Sequence, residues 1–262
     1  MRARGFTFIE LVVAITISSI VLVFVAMFIG APLGAYQTHS RRAALVADTS
    51  GAWPRMESDL RTSLPNSLRT RRNGNFVVLE MLPVMGVARY KTPPSALSFT
   101  TAGVYNGAVP AYLSVNSGAP GTDVYALNGS MAPASGYLSV AGAVADEQQI
   151  GVNPAPVFIT DSAKRKIYFV ARPVTYLCDV GQGTLQRYAN YTLASLQTSR
   201  DTPGELNAAG AAVELVTQGL TTCNFDLSLV GVQPQNVSVR LTTTRNGDTV
   251  GLLHSAHSEY VP

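Results

Sequence analysis

No catalytic signature runs through this sequence. It has no Gly-x-Ser-x-Gly, no His-Glu-x-x-His and no glycine-rich loop ending in Lys-Ser/Thr, so the nucleophile elbow, the helical zinc site and the phosphate loop all lack their residues. There are three histidines. His254 and His257, three apart in a strand-like tail, face opposite sides and make a poor metal site, and His39 stands alone. Asp146 and Glu147 come nearest to a calcium loop, but no Asp-x-Asp-x-Asn spacing accompanies them. Charge is scarce, at 13% of residues with a formal net charge of +3. That balance excludes a whole-chain electrostatic affinity for nucleic acid. Residues 92–122 carry no charge at all, and no period points to internal repeats.

The charge-free apolar run over residues 11–29 is interrupted only by Thr16, Ser18 and Ser19, whose hydroxyls can bond back to helix carbonyls. Counted from Phe6, the segment is 24 residues, roughly 36 Å as a helix and enough to cross a bilayer with some tilt. Glu10 is the anomaly. A carboxylate in such a span costs about 2.5–3.5 kcal/mol and so implies a function and a partner.

The leader Met1-Arg-Ala-Arg-Gly5 completes the pattern. An ordinary secretory signal places its small-residue cleavage site after the apolar stretch; here Gly5 comes before it. The order of basic leader, Gly5, Phe6-Thr-Phe-Ile-Glu10 and apolar run resembles the class III signal of type IV prepilins and pseudopilins. The resemblance implies that prepilin peptidase cuts after Gly5 and that Phe6 becomes the N-methylated N-terminus. Glu10 is then the fifth mature residue. Cleavage creates an ammonium group at the edge of the hydrophobic phase, where Glu10 of one subunit can pair with the Phe6 amine of its neighbour. Each charge alone is costly in low dielectric, and the pair fixes register more than it adds stability. Losing Arg2 and Arg4 with the leader lowers the net charge from +3 to +1.

Beyond the span, Gly30-Ala-Pro32-Leu-Gly34 predicts a kink or local melting. Trp53, Met56, Leu60 and Leu64 form an apolar stripe at helical spacing. Pro54, after Ser50-Gly51, predicts a second kink or a fresh helix start, and Leu64-Pro65-Asn66 ends the helix. From Ser67 onward the period falls to two, with strands expected at 76–82, 88–91, 166–172, 174–178, 185–191, 223–229, 237–243 and 250–254. Arg245-Asn-Gly-Asp248 and residues 179–183 read as hairpin turns. Residues 92–156 read as loops and short edge strands. The expected fold class is α+β: a long, kinked N-terminal helix packed against a mostly antiparallel β-sheet head. Its parts are leader 1–5, transmembrane helix 6–35, amphipathic stem 36–65 and β-rich head 66–262.

Cys178 and Cys223 are the two cysteines. An isolated pair in an exported domain reads as a disulfide, contributing roughly 4 kcal/mol in the chain-entropy account; the alternative is two unrelated buried thiols. Arg2 and Arg4 before the span face Arg41 and Arg42 beyond it, so charge alone does not orient the chain. A disulfide places the head outside the cytoplasm. Arg61, Arg69, Arg71 and Arg72 form a cluster that reads as a solvated helix end and turn, as a contact with an acidic neighbour, or as a DNA-backbone contact. Phe76 is the only nearby aromatic for base stacking, which weakens the last reading.

Met56-Glu-Ser-Asp-Leu-Arg61 and Leu64-Pro-Asn-Ser-Leu-Arg69 are similar to the stem of MshO-like minor pilins, the MSHA pilus biogenesis group, to which PilW is related. The stretch 167–179, Leu185-Gln-Arg-Tyr188, Cys223-Asn-Phe225 and Leu252-Leu-His254 are similar to the same group. The resemblance implies a non-catalytic minor pilin without a cofactor that primes or caps a pilus. Its partners are then prepilin peptidase, other major and minor pilins, the inner-membrane assembly platform and membrane lipid. It would cross the bacterial inner membrane once, with the head in the periplasm or at the pilus tip. A J-type minor pseudopilin of a type II secretion system, and a tip adhesin or DNA-uptake pilin, are the alternatives. A bacterial leader makes the sequons at Asn128, Asn190 and Asn236 chance matches.

Overall fold

The computed structural model describes residues 7–230, 233–245 and 247–257. The chain opens with α1 (Phe8–Ser50), a helix of 43 residues and about 65 Å at the standard rise. The Thr7 carbonyl accepts the Glu10 and Leu11 N–H groups at 3.1 and 3.2 Å. Phe8–Phe28 is long and apolar enough to cross a membrane, and none of it is buried. Inside this stretch the Thr16 hydroxyl donates to the Val12 and Val13 carbonyls, and Ser19 donates to Thr16. The span therefore satisfies these polar groups internally, as a bilayer requires. The helix continues through Pro32, so the expected local melting does not occur there. One missing N–H is a local loss, and melting in an apolar phase would orphan more backbone groups than it relieved. The break falls at Gly51-Ala52.

A fresh helix, α2 (Trp53–Arg61), follows with Pro54 in its first turn, where a missing N–H costs nothing. It stops three residues short of the expected Leu64. Thr62 and Ser63 turn their hydroxyls back onto the Ser58 and Leu60 carbonyls. The next backbone groups are taken by another segment: Leu64 N–H donates to Leu82 O, and Val84 N–H to Thr62 O.

Hairpin β1 (Arg69–Asn73) and β2 (Phe76–Met81) begins the sheets. The chain then runs through β3 (Val84–Tyr90), β4 (Ser98–Ala102), β5 (Tyr112–Ser114), β6 (Met131–Pro133), β7 (Leu138–Ala141), β8 (Glu147–Gly151) and β9 (Lys166–Val170). It returns as β10 (Val174–Asp179), β11 (Thr184–Ala189), a short helix α3 (Pro203–Ala208) and β12 (Ala212–Gln218). Three long strands close it: β13 (Leu220–Val230), β14 (Gln233–Arg245) and β15 (Asp248–His257).

Every pairing is antiparallel, in three sheets of order β1-β2-β10-β11-β12, β13-β14-β15 and β6-β5-β9-β3-β4-β8-β7. The mostly antiparallel α+β expectation therefore holds. The seven-stranded sheet is made wholly within the excursion between β2 and β10. Residues 92–156 hold the expected short strands, joined into a sheet with its own core. They supply β4 to β8, and their Phe99, Leu113, Val115 and Ile150 are at most 1% exposed. Arg245 pairs with Asp248 across the last hairpin, with Gly247 at φ +83° as that tight turn requires; Asn246 lies outside the described residues.

Two cores result. Met56 and Leu60 of α2, both fully buried, pack with Val77, Leu79 and Tyr176 of the five-stranded sheet and with Val237 and Val239 of the three-stranded one. The seven-stranded sheet keeps its own cluster around Phe99, Leu113, Ile150, Ile167 and Phe169.

Candidate assembly segment and the polar contacts of the head

Gly5 and Phe6, the expected processing site, lie outside the described residues. Glu10 is exposed in the first turn of α1, where the helix dipole favours a negative charge. Among the described residues no cation forms an ion pair with it. The neighbouring apolar side chains are exposed: Phe8 by 82%, Ile9 by 68% and Leu11 by 53%. A helix apolar all round is built to be covered, by lipid or by other helices. The assembly chemistry open to this segment is thus one buried-prone carboxylate on an otherwise greasy rod.

Three of the four clustered arginines pair with carboxylates inside the head. Arg61 pairs with Glu57 at 2.7 Å, one helical turn away. Arg69 donates Nε to Glu80 at 2.8 Å and its two terminal nitrogens to the Ser195 and Ala194 carbonyls, while its guanidinium lies 3.4 Å from the Tyr125 ring centre. Arg71 donates to Asp201 at 2.6 Å, and Arg72 reaches the Cys223 carbonyl at 3.4 Å. Three of the four cations are thus already neutralised by carboxylates and offer little to a phosphate backbone; among the described residues, Arg72 alone of the four keeps donors free of a carboxylate. Of the three readings of this cluster, none anticipated internal pairing. The signal that was present is Glu80, a lone carboxylate in the apolar strand Phe76-Val-Val-Leu-Glu-Met81, since a buried charge needs a partner.

Glu80 is fully buried and the hub of a network. One oxygen accepts from Arg69; the other accepts the Tyr191 hydroxyl at 2.8 Å, and Tyr191 meets Thr175 at 2.6 Å. A second node, Asp59 on α2, accepts from Arg187 Nε at 2.6 Å and the Tyr176 hydroxyl at 2.8 Å, which ties the helix to β10 and β11. Burial, reinforced by the adjacent carboxylates, pushes the phenols of Tyr125, Tyr176 and Tyr191 well above their ordinary range.

Cys178 on β10 and Cys223 on β13 are two free thiols in the structure, both buried in the core that the two sheets share. Burial pushes the Cys223 thiol up, and Cys178 is within hydrogen-bonding reach of it. The structure brings the pair together without the bond.

The remaining candidates are placed as follows. Glu147 pairs with Lys91, and among the described residues no cluster of three metal-ligating side chains forms. His254 on β15 stacks on Trp53 at 4.5 Å between ring centres and 11° between planes, an aromatic contact rather than a metal site. His257 pairs in register with Asn236.

Residues 1–31 match the family model described as the prokaryotic N-terminal methylation motif. No curated protein and no solved structure matches the chain. The matched segment, followed by a membrane-length apolar helix and antiparallel sheets, supports a type IV pilin-like or pseudopilin protein, structural rather than enzymatic, processed by prepilin peptidase and anchored by a single N-terminal helix.

Proposed function

We propose that this protein is a minor type IV pilin of the MSHA biogenesis kind, which primes or caps pilus assembly. Peptidase cleavage between Gly5 and Phe6 and methylation of Phe6 would deliver a mature subunit whose Glu10 meets the Phe6 amine of its neighbour. The head would sit in the periplasm or at the tip, with the Cys178–Cys223 bond formed there. The observation that carries the reading is the matched segment running into an exposed apolar span, Phe8–Phe28, with one carboxylate at its start. The head supports a minor role. Its inserted sheet makes it bulky, and a bulky head limits how many copies a thin filament accommodates. The stem and strand motifs similar to the MshO and PilW group favour a pilus over the J-type secretion pseudopilin.

The test is mass spectrometry of the membrane-extracted protein and of sheared filaments. Expected are a mature N-terminus at methylated Phe6 and a small copy number relative to the major pilin. A different N-terminus removes the prepilin reading. Comparable copy numbers along the shaft remove the minor-subunit role alone.

A further inference from the structure

We propose that a cleft at the seam between the inserted sheet and the segment 190–195 binds a small amphipathic carboxylate: its apolar body lies against the cleft wall and its anionic group sits at Arg172. The cleft has a volume of about 920 Å³, within the ~300–1,000 Å³ of small-molecule sites. Its walls are apolar, with Val109, Pro110, Leu127, Pro133 and Leu193 prominent. Its polar lining includes Arg172, Asn190, Thr192 and Ser195. A mostly apolar cavity with a few convergent polar groups is the usual form of a ligand site.

Charge decides the ligand class. Among the described residues Arg172 is the only charged one lining the cleft, and no carboxylate lines it. Arg61, Arg69, Arg71 and Arg187 each hold a carboxylate. The described bond of Arg172 goes instead to the Asn190 carbonyl at a long 3.4 Å, which leaves most of its five N–H donors for a ligand. Arg200 stands behind the same wall, donating to the Thr192 carbonyl and hydroxyl at 3.2 and 3.1 Å. It is a second cation with neutral acceptors, and it deepens the positive potential. Tyr112, on the cleft wall, has its phenol pushed up by burial, so it stays neutral beside the guanidinium. Arg172 is exposed at the cleft, so an anion entering there would meet a planar fork open to it and suited to bidentate binding. The site exists because of the insertion, since Arg172 lies on the link from β9 back to β10. It requires nothing of the pilin reading.

The test uses the full-length chain in lipid nanodiscs, with empty nanodiscs as blank. The probes are 4-phenylbutyrate and its uncharged analogue 4-phenylbutan-1-ol, titrated by calorimetry and by saturation-transfer NMR. The carboxylate should bind about tenfold or more tightly than the alcohol, the ratio expected when hydrogen bonds to a charged group are added. Arg172→Gln should bring the carboxylate down to the alcohol's affinity and leave the alcohol unchanged. Val109→Asp, on a side chain 70% exposed and so compatible with folding, should weaken both probes, the carboxylate more than the alcohol. Equal affinities in the wild type, carboxylate binding that survives Arg172→Gln, or no saturable binding of either probe overturns the proposal.

Discussion

Met81 and Val174 face each other across β2 and β10 as register partners, although residues 82–173 separate them in the chain. Everything between them is an excursion that leaves the five-stranded sheet and re-enters it at the adjoining position. The inserted sheet carries its own core, and the sheet it interrupts pairs as though it were absent.

This relationship predicts that the excursion is dispensable for the rest of the head. Replacing residues 82–173 with Asn-Gly gives a two-residue hairpin between paired strands, the geometry such a turn favours. The shortened protein should keep its β-sheet circular dichroism and a cooperative thermal transition. Its stability should fall by about 3–6 kcal/mol, from exposing Leu64, which is fully buried against Leu82, Val84, Val124, Met131 and Val170, and from losing the Leu64–Leu82 backbone bond and the Tyr125 hydroxyl bond to the Ser67 carbonyl. Loss of the transition would show that the inserted sheet is needed to fold the other.

Sequence reasoning found β2, β10, β11 and the long closing strands, and within the insertion β3 and β9, but placed no strand at β1, at β12 or individually at β4 to β8, and the physics of each strand explains why. β2 and β10 are dense in Val, Leu, Tyr and Thr and buried along most of their length, so composition alone marks them. β5 and β6 are three residues each, too short for a period of two to register among Gly, Pro and Ser. β1, Arg-Thr-Arg-Arg-Asn, looks like a solvated turn because the acids that pair with it, Glu80 and Asp201, are distant in sequence. The membrane segment was legible because its signal is local and continuous. The cleft was not, since it joins residues from 85 to 195.

The Arg69–Glu80 pair should behave as a buried pair does. Arg69→Met leaves the Glu80 carboxylate uncompensated and should cost about 3–5 kcal/mol, whereas the double variant Arg69→Met/Glu80→Met should recover most of that loss. Urea titrations of the three proteins decide it; a double variant as unstable as the single one would contradict the role of the carboxylate.

Alkaline pH should unfold the head. Unfolded tyrosine ionises near pH 10, while Tyr125, Tyr176 and Tyr191 are held above that by burial. A raised folded value means the unfolded state releases these protons first, so their stabilising contribution is complete below about pH 10 and drains away above it. Tyrosinate absorbance at 295 nm should rise in two phases. The second should coincide with loss of circular dichroism, and a single early phase with the fold intact would refute the assignment.

Export should join Cys178 to Cys223. Protein taken from the periplasm should yield a linked peptide pair on non-reducing mapping and resist alkylation when unfolded without reductant. The reduced protein should alkylate only on unfolding, because both thiols are buried. Two alkylated cysteines in unreduced periplasmic protein would exclude the bond.

Glu10→Ala should be cleaved and inserted at least as well as the wild type, since it removes a costly charge from the span, yet fail to join other pilins. Co-purification with them at wild-type levels would remove the pairing with Phe6.

The stacked pair of Trp53 and His254 has a practical consequence. The chain holds one tryptophan, so its emission reports a single location, the place where α2 lies on β15. That helix is the first element after α1 along the chain. A disturbance entering the head from its N-terminal side therefore meets the indole early, and the protein carries a built-in optical gauge of whether its first turn of head structure is seated.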